Sequence, residues 1–500
     1  MKKIALFVVA ALVAVLPLAA APASAAEETL VLRVANWEDY IGEGILEDFE
    51  AAMAEKYGKP VHVEYSTFGT NEVLYNDLKI AGGYLYDVVC PSDYMIEKMA
   101  KENMLQPLAL DAGGNYELYM SDYIKDVFAN KIDWGTASLA DYGVCYMWGT
   151  MGYVFNGAKA DAEDMKDWTS LWDEKYKGRS TIKDSVRDSY FVGIAYAKEE
   201  ELLDLKAQYD AGTLSPEDYN AALTEIFNDT SVDTVNAVEK ALSALKANIF
   251  GFEVDSGKND IAAGTIDINF AWSGDAVYAM DEAEALGVTL YYTVPETGSN
   301  IWFDGWCIPK DAEQVELAND FIDFMCDPEI AARNMEYIGY TSGVAGDKAF
   351  SIDYYDEDTG ALAETVEYEG IFDWMVQTYG LETVPTEGYD TEVDLSYFFG
   401  EGKTVYTDVV GRQFSAQYPD TKTTERCVVM NYFDDEANER INTMWENVKG
   451  VAFPTWAIVL IVVGVVLIVG VILLIRFKDK IFKSGGKGKK GVKVVEKEDV

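Results

Sequence analysis

Histidine is almost absent. His62 is the single one in 500 residues, so zinc sites and catalytic triads that need an imidazole are poorly supplied. It lies in the alternating segment Val61 to Tyr65 and reads as an ordinary strand residue. Cysteine is sparse as well. Cys90, Cys145, Cys307, Cys326 and Cys427 are scattered, odd in number and without a C-x-x-C pair, which suggests buried thiols and neither a zinc site nor a dense disulfide framework. Positive charge is scarce: 40 Lys and Arg against 86 Asp and Glu give a formal net charge of -46. Such a surface repels nucleic acid and anionic lipid and attracts small cations, although a merely solubilising acidic surface accounts for the charge equally well. A phosphate-loop signature is lacking too. Gly400 to Thr404 resembles its end, but Tyr397 stands where the first glycine is required.

Long apolar runs occur at the two ends. Lys2 and Lys3, the run Ile4 to Ala20 and the small residues Ala23 to Ala25 make residues 1–26 a predicted secretory signal, cleaved after Ala25 or Ala26. No Cys follows, which excludes a lipid-modified N-terminus. From Gly450 to Ile475 there is no charged residue, and residues 453–475 are long enough to cross ~30 Å of hydrocarbon as a helix. Trp456 sits where an interfacial aromatic belongs. The basic tail 476–500 follows, with Arg476, Lys478, Lys480 and Lys483 first, so the positive-inside rule assigns it to the cytoplasm. The expected placement is a single-pass cell-membrane protein whose main body is extracellular or periplasmic.

That body is large enough for two domains with real cores. Strand Leu30 to Ala35, helix Gly44 to Tyr57, strand Val61 to Ser66, helix Asn71 to Ala81, strand Tyr86 to Val89 and helix Tyr94 to Glu102 alternate, which predicts βαβ units on a mainly parallel sheet. Ligands collect beyond the carboxyl ends of such strands, here Asn36 to Tyr40 and Pro91 to Tyr94. Ser215 with Pro216 and Asp327 with Pro328 are helix starts. Residues 341–425 are acidic, Tyr- and Gly-rich and weakly periodic, and read as a loop-rich elaboration.

Aromatics paired with acids stand out at the predicted loops: Trp37 with Asp39 and Tyr40, Ser92 with Tyr94, Trp272 with Asp275, and Trp302 with Asp304. A flexible alkylammonium needs this combination. Ring faces bury its methylenes and attract its cation at about 0.5 to 2 kcal/mol per contact, while carboxylates neutralise each amine. Any one pair, taken alone, is more often a half-buried core aromatic beside a solvated acid.

Five ordered blocks carry a family resemblance: Asn36-Trp37-Glu38-Asp39-Tyr40, Cys90-Pro91-Ser92-Asp93-Tyr94, Leu171 to Gly178, Ala271-Trp272-Ser273-Gly274-Asp275-Ala276 and Ile338-Gly339-Tyr340. Over about residues 30 to 345, and weakly again near Tyr418 to Gly450, the chain resembles the spermidine/putrescine-binding proteins of ABC uptake systems. The resemblance implies an α/β, two-lobe periplasmic-binding-protein (type II) fold with a hinge. Lobe 1 is then 27–147 with a return at 303–345, and lobe 2 is 148–302 with a remainder at 346–450 that holds the acidic insertion. It implies ligand contacts from Trp37, Asp39, Tyr40, Ser92, Tyr94, Asp188, Trp272, Asp275, Trp302, Asp304 and Tyr340, with Asp184 the alternative to Asp188. No metal and no cofactor is implied. Departures are Glu38 and Asp93 in place of small polar residues, the long 341–425 connection, and the absence of a clean match for a late polar contact near Met430 and Asn431.

The expected function is therefore a membrane-tethered receptor that captures a polyamine and delivers it to separate permease and ATPase subunits. Other readings stay open: a sensory ectodomain of the same architecture, a receptor for another small cation, and a carboxylate-based extracellular hydrolase.

Overall fold

The computed structural model describes residues 29–81, 85–131, 138–356 and 359–450. The predicted signal 1–26, the span 453–475 and the tail 476–500 lie outside the described residues. Among the described residues, no helix is long and apolar enough to cross a membrane.

The chain opens with β1 (Leu30–Trp37), rich in Val and Leu, whose inward residues Leu32, Val34 and Ala35 are buried. The helix Ile45–Tyr57 follows. Left-handed glycines bound it, Gly44 at φ 77° and Gly58 at φ 63°, and the Gly58 N–H donates back to the Ala54 carbonyl. Acidic residues in its first turn and Lys56 in its last complement the helix dipole. Then come β2 (Val61–Phe68), the helix Asn71–Ala81 and the short β3 (Val88–Val89). β1 runs parallel to both β2 and β3. These elements match the predicted βαβ order to within two residues at most ends.

Two long strands cross the middle of the molecule. β4 (Gly143–Asn156) is buried over all but its last residue, the near-continuous apolar pattern of a strand covered on both faces. A second group contains β5 (Ser180–Lys183), β6 (Gly251–Glu253), β7 (Ile268–Trp272) and β8 (Leu290–Thr293), and β9 (Ser299–Cys307) then returns. The main sheet runs β2-β1-β3-β9-β4-β7-β5-β6. β4 pairs antiparallel with β9 along its first part, Gly143↔Cys307 to Thr150↔Ile301, and with β7 along its last, Met151↔Trp272 to Phe155↔Ile268. The parallel groups β2-β1-β3 and β7-β5-β6 are thus joined through β4 and β9.

Beyond β10 (Thr341–Ser342), which pairs with β4, the segment read as loop-rich folds into two hairpins. They are β11 (Phe350–Tyr355) with β12 (Leu362–Tyr368), and β13 (Thr391–Asp394) with β14 (Thr404–Thr407). β12 exposes both faces over most of its length, so it has no hydrophobic alternation to reveal it. Between the hairpins a helix, Ile371–Thr378, buries Ile371, Trp374 and Met375. β15 (Cys427–Val428) then joins β9 in parallel. All five cysteines are free and buried, as the spacing suggests.

Gly152 of β4 marks a close approach of backbone to neighbour. A Cβ there would stand 2.4 Å from the Thr293 carbonyl oxygen and 2.8 Å from the Tyr292 ring. Gly152→Ala should overpack this contact and lower stability by about 1 to 3 kcal/mol, read as a lower urea midpoint at unchanged slope. An unchanged midpoint would show that the β4 and β8 contact is looser than described.

Candidate functional site

The carboxyl ends of β1, β3, β5 and β7 supply the site, with β9 passing between them. Asp304 lies on β9, opposite Met147 beyond an irregularity in the β4 pairing. It is 6 % exposed. Its Oδ1 accepts the Ser92 hydroxyl at 2.7 Å and its Oδ2 accepts the Tyr40 hydroxyl at 2.9 Å. Among the described residues no Lys or Arg stands within ion-pair distance of it. Burial pushes the Asp304 carboxyl up to about 7, against the two hydroxyl bonds, with Asp188 adding to the rise.

The local sequence explains how these hydroxyls arrive. After β1, Asp39 adopts the left-handed φ of 51°, which Asp tolerates better than most side chains. The Asn36 amide donates to the Tyr40 carbonyl at 2.9 Å, and the Tyr146 hydroxyl donates to the same oxygen at 2.9 Å. The turn therefore delivers Tyr40 inward, while Glu38 and Asp39 face solvent. After β3, Asn71 fixes the second loop. Its Oδ1 accepts the Ser92 backbone N–H at 3.0 Å, and its Nδ2 donates to Ser92 Oγ and to the Tyr94 hydroxyl, each at 3.0 Å.

Tyr340 links the two groups of strands. It follows the helix Pro328–Ile338, which Gly339 ends at φ 74°. Its hydroxyl donates to Asp275 Oδ1 at 2.9 Å. Its ring centroid lies 5.2 Å from that of Tyr40 and 5.5 Å from that of Trp302, edge-on to both. Gly274 makes this possible, since a Cβ there would fall 2.2 Å from the Tyr340 ring. Trp37 rests against Phe68 with centroids 4.7 Å apart. The indole N–H groups of Trp37 and Trp302 are buried and have no hydrogen-bond partner among the described residues.

Two buried cations were not anticipated from the sequence. Lys183, at the end of β5, is 0 % exposed. Its Nζ donates to Asp275 Oδ2 at 2.9 Å and to the Val254 carbonyl at 3.0 Å, stands 3.3 Å from Glu253 Oε1, and lies 4.3 Å from the centre of the Trp272 ring. Burial opposes its charge, but Asp275 and Glu253 outweigh that cost, and its pKa is raised. Arg187 lies over the Tyr94 ring at 4.4 Å and the Phe433 ring at 3.8 Å, and donates to the Asn431 carbonyl at 2.7 Å. Burial lowers its pKa, while Tyr94, Glu72, Asp93 and Asp188 oppose the drop. Neither residue carries a sequence signal beyond being a cation at the end of a buried strand or in a first helical turn.

The predicted site residues thus divide. Tyr40, Ser92, Asp304, Tyr340 and Asp275 form one hydrogen-bonded and ring-stacked series, with Trp302 against Tyr340 and Trp272 under Lys183. Tyr94 joins through Asn71, and Asp188 lies near Lys183, Arg187 and Glu72, raised to about 6 by burial against its Ser185 hydrogen bond and the two cations. Asp39 is exposed outside the series. Asp93, noted as an added acid, is turned onto backbone: its oxygens accept the Tyr94 N–H at 2.6 Å and the Phe303 N–H at 3.1 Å. Burial pushes it up to about 8 despite those bonds.

Known proteins resemble the chain in sequence and in fold. Residues 44–351 match the family described as bacterial extracellular solute-binding protein. The spermidine/putrescine-binding periplasmic protein of Escherichia coli is 28% identical over 338 residues, covering 67% of this chain and 84% of that one. A putrescine-binding periplasmic protein of Pseudomonas aeruginosa is 28% identical over 327 residues, 64% of this chain and 80% of its own. Two solved structures share the fold. A spermidine/putrescine ABC transporter substrate-binding protein of Streptococcus pneumoniae superposes with a TM-score of 0.52 at 23% identity, and a lipoprotein of Treponema pallidum with 0.56 at 17%. Each comparison covers 84% of this chain and 98% and 99% of the other, respectively.

The raised carboxyls set a pH dependence. Asp304, Asp188 and Asp93 hold protons more tightly in the folded chain than in the unfolded one, where their ordinary value is 3.8. Their contribution to stability is complete below about pH 4 and is lost as pH rises through about 6 to 8. The ligand-free protein should therefore melt at a lower temperature at pH 8.5 than at pH 5.5. Asp304→Asn should reduce that drop, and an undiminished drop would remove Asp304 as a contributor.

Proposed function

The chain belongs to the bacterial extracellular solute-binding proteins, and from that premise we propose that its solute is a polyamine, captured outside the membrane and handed to an ABC permease driven by a separate ATPase. As a member of that family it binds a solute and is not an enzyme. The observation that carries the polyamine reading is Asp304. It is a buried carboxylate held by two hydroxyls, with no Lys or Arg at ion-pair distance among the described residues, and Tyr40, one of the two donors, packs edge-on against Tyr340, which packs against Trp302. An ammonium group neutralises such an acid, and aromatic faces bury the alkyl chain behind it. The relatives whose names record spermidine and putrescine binding support the same class of ligand.

On this reading Asp304 and Asp188 receive ammonium groups, Trp37, Trp302 and Trp272 line the methylene path, and Tyr40, Tyr94 and Tyr340 add hydroxyl or ring-face contacts. Ser92 holds Asp304 in place, and Asp39 guides cations from solvent. The apolar stretch 453–475 serves as a tether, keeping the receptor near its permease so that local concentration replaces free diffusion.

Removing one member of a desolvated charge pair costs about 2 to 5 kcal/mol, so Asp304→Ala should weaken polyamine binding by well over tenfold in titration calorimetry. Unchanged affinity would remove Asp304 from the site. A chain ending at Gly450 should leave the membrane fraction and keep the affinity of the full chain. A truncated form that folds without binding would mean that the C-terminal stretch takes part in capture.

A further inference from the structure

Lys183 holds the position that the sequence reserves for a ligand. A flat aromatic face, a carboxylate on either side and a carbonyl oxygen are the surroundings an alkylammonium seeks. Trp272, Asp275, Glu253 and Val254 provide them to the Lys183 Nζ. Every oxygen of these acids has a partner. Asp275 Oδ1 accepts the Tyr340 hydroxyl at 2.9 Å, and Glu253 accepts the Gly257 backbone N–H at 2.9 Å and the Asn269 amide at 3.1 Å. Neither oxygen of Asp275 is left without a partner.

This arrangement adjoins the rest of the site. Tyr340 touches Asp275 at one end and stacks edge-on to Tyr40 and Trp302 at the other, and Tyr40 bonds Asp304. A polyamine running along this wall would meet the Lys183 ammonium where its next nitrogen would lie, and two like charges there repel.

We propose that Lys183 is an internal ammonium that fills one amine position of the pocket and so sets the ligand class, restricting the chain to diamines of the putrescine type over triamines of the spermidine type. The inference rests on the polyamine reading above and adds which member of the class is taken. The diamine places one ammonium at Asp304 and keeps its other end clear of the Lys183 ammonium. Asp275 and Glu253 are neutralised from within by Lys183.

Replacing the lysine alone would leave two buried carboxylates facing each other, so the informative variant is Lys183→Met combined with Glu253→Gln, which keeps one acid at Asp275. Titration calorimetry of putrescine and spermidine with the full chain reads the result. The wild type should bind putrescine more tightly than spermidine, and the double variant should shift the ratio of the two affinities at least tenfold toward spermidine. In a variant with a cooperative melt, an unchanged ratio would overturn the proposal while leaving polyamine binding intact, as would a wild type that favours spermidine. A wild type that binds neither polyamine would overturn the underlying reading together with this one.

Discussion

A carboxylate taken out of water without a cation is the condition on which the rest of the site depends. Asp304 is buried, its two oxygens are met by hydroxyls from Tyr40 and Ser92, and burial raises it to about 7. Those hydroxyls soften the cost of the charge without cancelling it. Much of the surrounding structure keeps this arrangement in place. Asn36 and Tyr146 pin the turn that presents Tyr40, and Asn71 fixes the loop that presents Ser92. On the proposed reading the residual cost is the driving force: an incoming ammonium supplies what the protein withholds.

The topology explains why residues from two groups of strands meet in one series. β9 borders the first parallel group and β4 the second, and the two pair with each other in the middle of the sheet. Side chains leaving the carboxyl ends of β1 and β3 approach from one side and those leaving β5 and β7 from the other, so the site is assembled at their junction. Small residues make the junction tight. Gly274 lets the Tyr340 ring lie against its helix, and Gly149 lies where a Cβ would stand 2.7 Å from the Trp302 ring. Contacts of this kind respond to a single methyl group.

The first strands and helices were legible because β1 and β2 carry alternating or aliphatic patterns and their helices are bounded by glycine or opened by Asn71. The blocks around Trp37, Ser92, Trp272 and Tyr340 were legible because aromatic, acid and glycine recur there in an order that chance rarely gives. Lys183 and Arg187 were not. In a chain this acidic, a lone cation reads as a partner for surface carboxylates, and its burial depends on contacts from Asp275, Glu253 and Phe433, which are distant in sequence. The hairpins after Ser342 were missed for a different reason: β12 has no buried face to impose a period. Asp93 shows a third limit, since a carboxylate that caps backbone N–H groups looks in sequence like one that faces a ligand.

The charge balance of the pocket separates capture of a cation from storage of buried acids. If Asp304 and Asp188 are partly protonated near neutrality and a polyamine ammonium takes their place, binding must release protons. The direct measurement is titration calorimetry of putrescine into the full chain at pH 7 in two buffers of different ionisation enthalpy. A saturable one-to-one heat is expected, with a dependence on the buffer that corresponds to net proton release. Heat that does not saturate, or saturable binding with net proton uptake, would contradict it.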